Sequence, residues 1–233
     1  MEHKKRIESI DTIRGMAVIL MIIYHFLYDV VYFLGLPAWV FNNPAFTLLQ
    51  PLIAGAFITV AGVSSRYSRS NVKRGCIVLI CAVATSVATW LVETPVRFGI
   101  LHFMGTCMVL YGLTHKLWEK LPEKAAPFLY ILLFLITGQL LTLINPVKIP
   151  YLFPFGLLTD SFYSSDYFPI FPWCFVFLFG AWLGGPIRAG KLPDRFYTWG
   201  LAPFAAIGRK ALILYILHQP VLYGITMALK AVL

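Results

Sequence analysis

The sequence predicts an all-α, polytopic bundle of about seven membrane-spanning helices, and three observations predict it. The chain has 233 residues, 59% of them hydrophobic and only 12% charged, whereas a soluble domain is nearer half apolar and a quarter charged. Its mean hydropathy is +0.78, and the apolar residues fall in runs close to the 20 or so that a helix needs to cross a bilayer. The Lys and Arg residues sit in short clusters between those runs. The formal charge of +9 is therefore a topology signal, and no RNA- or DNA-binding motif accompanies it.

Seven spans are expected, at 13–35, 46–64, 75–92, 99–116, 126–144, 168–184 and 204–230. The first has an apolar run too long for a signal-peptide core and no small-residue cleavage site after it, so it stays in the chain. The second opens after "NNPA" and the third after "NVKR". The fourth is the most polar, holding His102 and ending at His115. The fifth begins after "PEKA"; the sixth is short and begins its apolar run after Pro172. The seventh contains Pro220, which is expected to kink it and free the carbonyl of Ile216. The whole chain, 1–233, reads as one integral-membrane domain without repeats.

With the N-terminus in the cytoplasm, sixteen of the nineteen Lys and Arg residues lie inside. They include Lys4, Lys5, Arg6 and Arg14 at the inner end of the first span and Arg66, Arg69, Lys73 and Arg74 after the second. Only Arg97, Lys148 and Lys230 lie outside, so the positive-inside rule fixes the orientation. An odd number of spans then places the C-terminus outside, in a multi-pass protein of the cell membrane. The loop 145–167 is external and, with its aromatics and three prolines, is expected to fold over the outer mouth. Cys76, Cys81, Cys107 and Cys174 all fall in apolar runs without a CxxC, which reads as small buried hydrophobes rather than a disulfide framework or zinc site. No metal is expected.

The first span carries four ionisable residues in "DTIRGMAVILMIIYHFLYDV". With 100° per residue and His25 at zero, Asp11 and Asp29 lie near +40° and Arg14 near −20°, so they share one stripe. Arg14 is about 16 Å below His25 and Asp29 about 6 Å above it, at 1.5 Å rise per residue. A charge at a helix centre costs about 2.5–3.5 kcal/mol, and such residues face the bundle interior or a water-filled path and mark function. His25 and Asp29, four apart, are neighbours on the helix. The expected arrangement is Asp29 orienting the His25 imidazole, as the acid of a nucleophile–base triad does. The ordinary alternatives are an interhelical hydrogen bond for this pair, and an N-terminal cap and mouth ion pair for Asp11 and Arg14.

The last span, "IGRKALILYILHQPVLYG", brings His218 and Gln219 about 13 Å past Arg209. Between the third and fourth spans, "ETPVRFGILHFMG" places Glu93, Arg97 and His102 near the outer face, as an acceptor site or an interfacial ion pair. Trp173, in "FPWC", belongs to the same outer level, where tryptophan commonly serves as a belt residue. Gly180, Gly184 and Gly185 permit close helix packing. Arg14 and Arg209 each begin a span that later carries an internal histidine, and both suit the phosphates of a donor.

"RIESIDTIRGMAVILMIIYHFLYD", "FPWCFVFLFGAWLG" and "IGRKALILYILHQPVLY" occur in this order over nearly the whole chain. They resemble the opening, a later span and the closing span of the heparan-α-glucosaminide N-acetyltransferase catalytic domain family, which has bacterial members. The D-x-x-R-G start is shared with other integral-membrane acyltransferases. The resemblance implies an all-helical enzyme that takes acetyl from cytoplasmic acetyl-CoA and passes it to a sugar amine or hydroxyl on the far side, through a histidine. It carries Arg14 from the D-x-x-R-G block and His218 from the L-H-Q-P block. The eukaryotic enzyme has more spans and a luminal domain, and places a histidine just after its first span. Here that stretch is "LGLPAWVFNNPAF", so His25 inside the span takes the role.

The expected function is acyl transfer. Acetyl-CoA docks on Arg14 and Arg209 with Asp11 beside them. His25, oriented by Asp29, acts as general base or transient acyl carrier. His218 or Gln219 stabilises the oxyanion or places the acceptor. Glu93, Arg97, His102 and Trp173 line the acceptor side. The rival is a transporter of a small polar or glycolipid substrate that uses the same stripe as its path; against it, the chain has no inverted repeat of interrupted helices. A retinal protein is disfavoured because the only lysine of the seventh span is Lys230, at its end. The expected partners are the bilayer, acetyl-CoA and a glycoconjugate, and a homodimer is in keeping with a bundle rich in small residues.

Overall fold

Capping side chains set the starts of the second and third helices, whereas the first begins after Ile7 with no side-chain cap. The computed structural model describes residues 7–37, 39 and 42–232, and among them it is all-helical, with a single isolated bridge between Phe98 and Tyr167. Helix α1 spans Glu8–Leu34 and stops at Gly35, whose φ of +73° suits a residue without Cβ. Asn43 caps α2 (Pro44–Tyr67), its Oδ1 accepting from the amides of Ala45 and Phe46. Ser70 caps α3 (Asn71–Leu91) by accepting from the amide of Lys73. Helices α4 (Ile100–Trp118), α5 (Ala126–Ile144) and α6 (Ile170–Arg188) follow, then α7 (Asp194–Thr198), α8 (Ala202–Arg209) and α9 (Ala211–Val232). Lys4, Lys5 and Arg6 lie outside the described residues.

Among the described residues six helices, α1, α2, α3, α5, α6 and α9, are long and apolar enough to cross a membrane. The chain is a multi-pass membrane protein. The fourth expected span is present as α4, which carries two histidines and Lys116 and is not among those six. The seventh expected span is corrected: 204–230 is two helices, because the chain leaves helical geometry at Lys210 (φ −106°, ψ 14°). Its long helix begins at Ala211 and continues as one helix through Pro220. Of the cysteines, Cys107 is buried whereas Cys76 is exposed on the apolar surface of α3, so the reading as buried hydrophobes does not hold for Cys76.

The helices group into two compact units, Met1–Val60 with Leu192–Leu233, and Ala61–Lys191. In the first, α8 and α9 both pack on α1. The α1–α8 contact is backbone against backbone: a Cβ added at Gly15 would collide with the carbonyl of Phe204, and one at Gly208 with the carbonyl of Asp11. Thr12, fully buried, accepts from the amide of Leu201 at the start of α8 (3.1 Å). Arg14 donates to Asp11 and to the carbonyl of Gly208 near the end of α8 (3.4 Å). The sequence block D-T-x-R-G is thus a cradle for α8.

In the second unit α3 packs on α4, and α6 on both α4 and α5. The segment 145–169 is tied down rather than loose: the Asn145 side chain donates to the carbonyl of Gly156 (2.9 Å) and accepts from the amide of Leu158 (2.8 Å). Its aromatics Phe153, Phe162 and Tyr167 pack together, and the amides of Ser165 and Phe168 donate to the carbonyls of Pro95 and Phe98.

Candidate functional site

The polar stripe of α1 meets α9 within the first unit. His25 and His218 bring their rings edge to face, centroids 4.9 Å apart. Each ring has one nitrogen tied to its own helix. His25 Nδ1 donates to the carbonyl of Met21 (2.8 Å), and His218 Nδ1 to the carbonyl of Tyr215. A carbonyl only accepts, so both rings, when neutral, carry their proton on Nδ1 and present Nε2 as a bare lone pair. His218 Nε2 is buried and has no partner among the described residues. His25 is half-buried, with Tyr24 set edge-on at 5.8 Å.

Asp29 departs from its expected contact. Its two oxygens accept from Gln219 Nε2 at 3.0 and 3.2 Å, and the backbone of Met21, rather than Asp29, fixes the tautomer of His25. A glutamine from a distant helix offers a donor where the imidazole's own i−4 carbonyl has already taken the ring N–H. Asp29 is only 1% exposed, a position a carboxyl tolerates when its oxygens are hydrogen-bonded. Gln219 Oε1 is buried without a partner among the described residues. The atoms left over, His25 Nε2, His218 Nε2 and Gln219 Oε1, are acceptors. An oxyanion needs donors, so the geometry suits placing an N–H or O–H group better than stabilising an oxyanion.

Asp11 and Arg14 form the ion pair that the sequence allows for, beside the α1–α8 contact. Asp11 is not a cap, since α1 starts at Glu8 after Ile7. Arg209 and its neighbour Lys210 are exposed at the end of α8. No group of three His, Cys, Asp or Glu residues among the described residues is placed to hold a metal.

The family model described as heparan-alpha-glucosaminide N-acetyltransferase, catalytic, matches residues 6–220, a stretch that contains His25, Asp29, His218 and Gln219. The chain belongs to that N-acetyltransferase family. No curated protein and no solved structure matches the chain. Family membership implies transferase activity in a membrane setting.

In this N-acetyltransferase family member the other expected site residues lie in the second unit. His102 Nε2 lies 3.3 Å from Ser86 Oγ. Because the Ser86 hydroxyl donates to the carbonyl of Val96, His102 must donate to Ser86, which leaves His102 Nδ1 a buried acceptor without a partner among the described residues. Glu93 and Arg97 do not form the expected ion pair. Arg97 places its guanidinium over the Phe162 ring at 5.7 Å, and Glu93 is exposed with φ +59° just beyond α3. Trp173 is held edge-on by Phe134 (5.8 Å) and against Phe168 (5.3 Å), a packing position. The sequence reading passed over Thr12, Ser86 and Tyr111. Tyr111 accepts from Arg66 (3.3 Å), which also pairs with Glu119. A threonine inside the D-x-x-R-G block was the one visible signal among them.

Proposed function

We propose that the protein moves an acetyl group from cytoplasmic acetyl-CoA to an amine or hydroxyl of a sugar or glycoconjugate on the other side of the membrane. The observation that carries this reading is the His25–His218 pair, two imidazoles 4.9 Å apart whose Nδ1–H groups are both committed to backbone carbonyls. His25, the more accessible of the two, is the general base: its Nε2 accepts the proton of the acceptor as the acceptor attacks the thioester carbon and CoA thiolate departs. An alternative course is a transient acyl-histidine at the same atom. His218 and Gln219 hold the acceptor.

For the donor, Arg209 and Lys210 are exposed cations suited to phosphates. Arg14 and Asp11 contribute by fixing the end of α8 on which Arg209 stands. The clustering of Lys and Arg supports a cytoplasmic N-terminus, with the acceptor on the opposite face, in the cell membrane.

The test uses purified full-length protein in detergent, acetyl-CoA, and methyl α-glucosaminide as acceptor probe, with free CoA thiol as readout. His25→Ala is expected to lower transfer by about 10²–10⁴-fold, the usual worth of a general base, with acetyl-CoA binding and melting temperature kept. Full transfer by His25→Ala refutes the assignment. Substrate flux across proteoliposomes without acetyl-CoA, and no CoA release, identifies a transporter instead.

A further inference from the structure

Asp29 was expected to serve His25, yet both of its oxygens are taken by Gln219. A primary amide can be turned either way. With its NH2 held by a carboxylate, only the orientation that aims Oε1 away from Asp29 survives. That Oε1 is buried and meets no donor among the described residues, as is His218 Nε2 on the adjacent residue. Both side chains reach toward α1, as their contacts with Asp29 and His25 show. A buried polar atom without a partner is costly in a folded protein. Two together on one face, beside the candidate base, are accounted for when a bound molecule brings the donors.

We propose that Asp29 is a positioning residue that acts through Gln219: it locks the amide so that Gln219 Oε1 and His218 Nε2 form a two-point acceptor clamp for the N–H or O–H groups of the acyl acceptor. The clamp selects substrates that bring a donor on the group next to the attacking one and rejects those whose neighbouring group is alkylated. The selection rests on the acyltransferase reading above, whereas the lock itself does not.

Asp29→Asn discriminates. The new amide can pair with Gln219 head to tail, donating to Oε1 and consuming the clamp. The KM for methyl α-glucosaminide is expected to rise about 10- to 100-fold, the worth of a hydrogen-bonding site turned away. The kcat and acetyl-CoA binding stay within about twofold, since neither the base nor the donor site is touched. Gln219→Glu alone sets two carboxylates side by side and loses the clamp. The double variant Asp29→Asn with Gln219→Glu rebuilds a donor–acceptor pair with a free oxygen at position 219, and is expected to recover KM to within a few-fold. A purely structural role recovers melting temperature in the double variant but not KM, and overturns the proposal. A fall in kcat with an altered pH profile in Asp29→Asn, unrescued by Gln219→Glu, assigns Asp29 to His25 and also overturns it. The lock has a readout without turnover: the ¹⁵N side-chain amide protons of Gln219 should exchange slowly in the wild type and fast in Asp29→Ala. Fast exchange in the wild type overturns the lock. A wild type with a slow amide but no transfer to any glucosaminide supports the lock and overturns the enzymatic reading together with the selection built on it.

Discussion

Replacing Gly15 with alanine tests whether α8 is held on α1 by backbone contact. The added Cβ would meet the carbonyl oxygen and carbon of Phe204 at separations real Cβ atoms essentially never show, with the amide of Gly208 crowding it as well, and none of these backbone atoms can swing aside. The helices must separate, lengthening the bonds from Thr12 to Leu201 and from Arg14 to Gly208. Overpacking of this kind costs about 1–3 kcal/mol, and losing the Thr12 bond adds about 1 kcal/mol. The higher helix propensity of alanine returns about 0.8–1 kcal/mol, leaving a net loss of about 1–3 kcal/mol. Gly224 is the control: it lies on α9 with nothing within 4 Å of an added Cβ, so Gly224→Ala gains up to about 1 kcal/mol. Thermal unfolding in one detergent reads both. At about 2–4 °C per kcal/mol for a chain this long, Gly15→Ala melts several degrees below the wild type and Gly224→Ala at or above it. A Gly15→Ala protein that melts no lower than the wild type refutes the close-contact account.

Thr12→Val keeps the shape but removes the acceptor for the Leu201 amide; a loss of about 1–3 kcal/mol is expected, read in the same melting assay. Glu119→Gln breaks the ion pair with Arg66, whose side chains are 29% and 43% exposed, so melting should shift by less than about 1 kcal/mol and the shift should vanish at high salt. Asp166→Ala removes the acceptor for the amide of Ile100 at the start of α4 (2.9 Å), and about 1 kcal/mol of stability should go with it. Burial pushes the Tyr167 phenol up from its ordinary value of 10.0, and its hydroxyl donates to the carbonyl of Phe153. A raised value means that the fold favours the neutral phenol, so this contribution is complete below pH 10 and is lost as pH climbs from there toward the raised value. Tyr167→Phe should flatten the alkaline loss of stability.

The runs of apolar residues marked the helices because lipid leaves a chain no other way to satisfy its backbone. The break at Lys210 was harder to see. "APFAAI" is as greasy as the span after it, and only the glycines facing across α1 and α8 show why that piece packs as a separate helix. The stripe on α1 was legible as an inward face: Asp11, Val18 and Asp29 are buried. Its edge was not: Tyr32, which at 100° per residue falls at the same angle as Arg14, is 67% exposed. The i,i+4 rule paired His25 with Asp29 correctly as neighbours but could not know that Gln219, 190 residues later, would arrive at the carboxylate. Spacing within one helix ranks local contacts; a tertiary donor outcompetes them without leaving a mark in the local sequence. For the same reason the Glu93–Arg97 pair gave way to the Phe162 ring.

Helix α1 has 27 residues, about 40 Å of rod at 1.5 Å per residue, against a hydrocarbon layer of about 30 Å. Its apolar run starts only after Arg14, so the surplus stands at its beginning, the part that cradles α8. The two parts of this helix therefore stand at different depths: the Asp11–Arg14 pair, packed beside α8, belongs to the headgroup level, and His25 lies about 16 Å further along the rod, within the hydrocarbon layer. Membrane thickness becomes a variable of the protein itself. A thicker bilayer draws the cradle toward the oil and a thinner one lifts it clear, and because one stiff rod carries both, α8 and the imidazole pair move through the membrane's depth together.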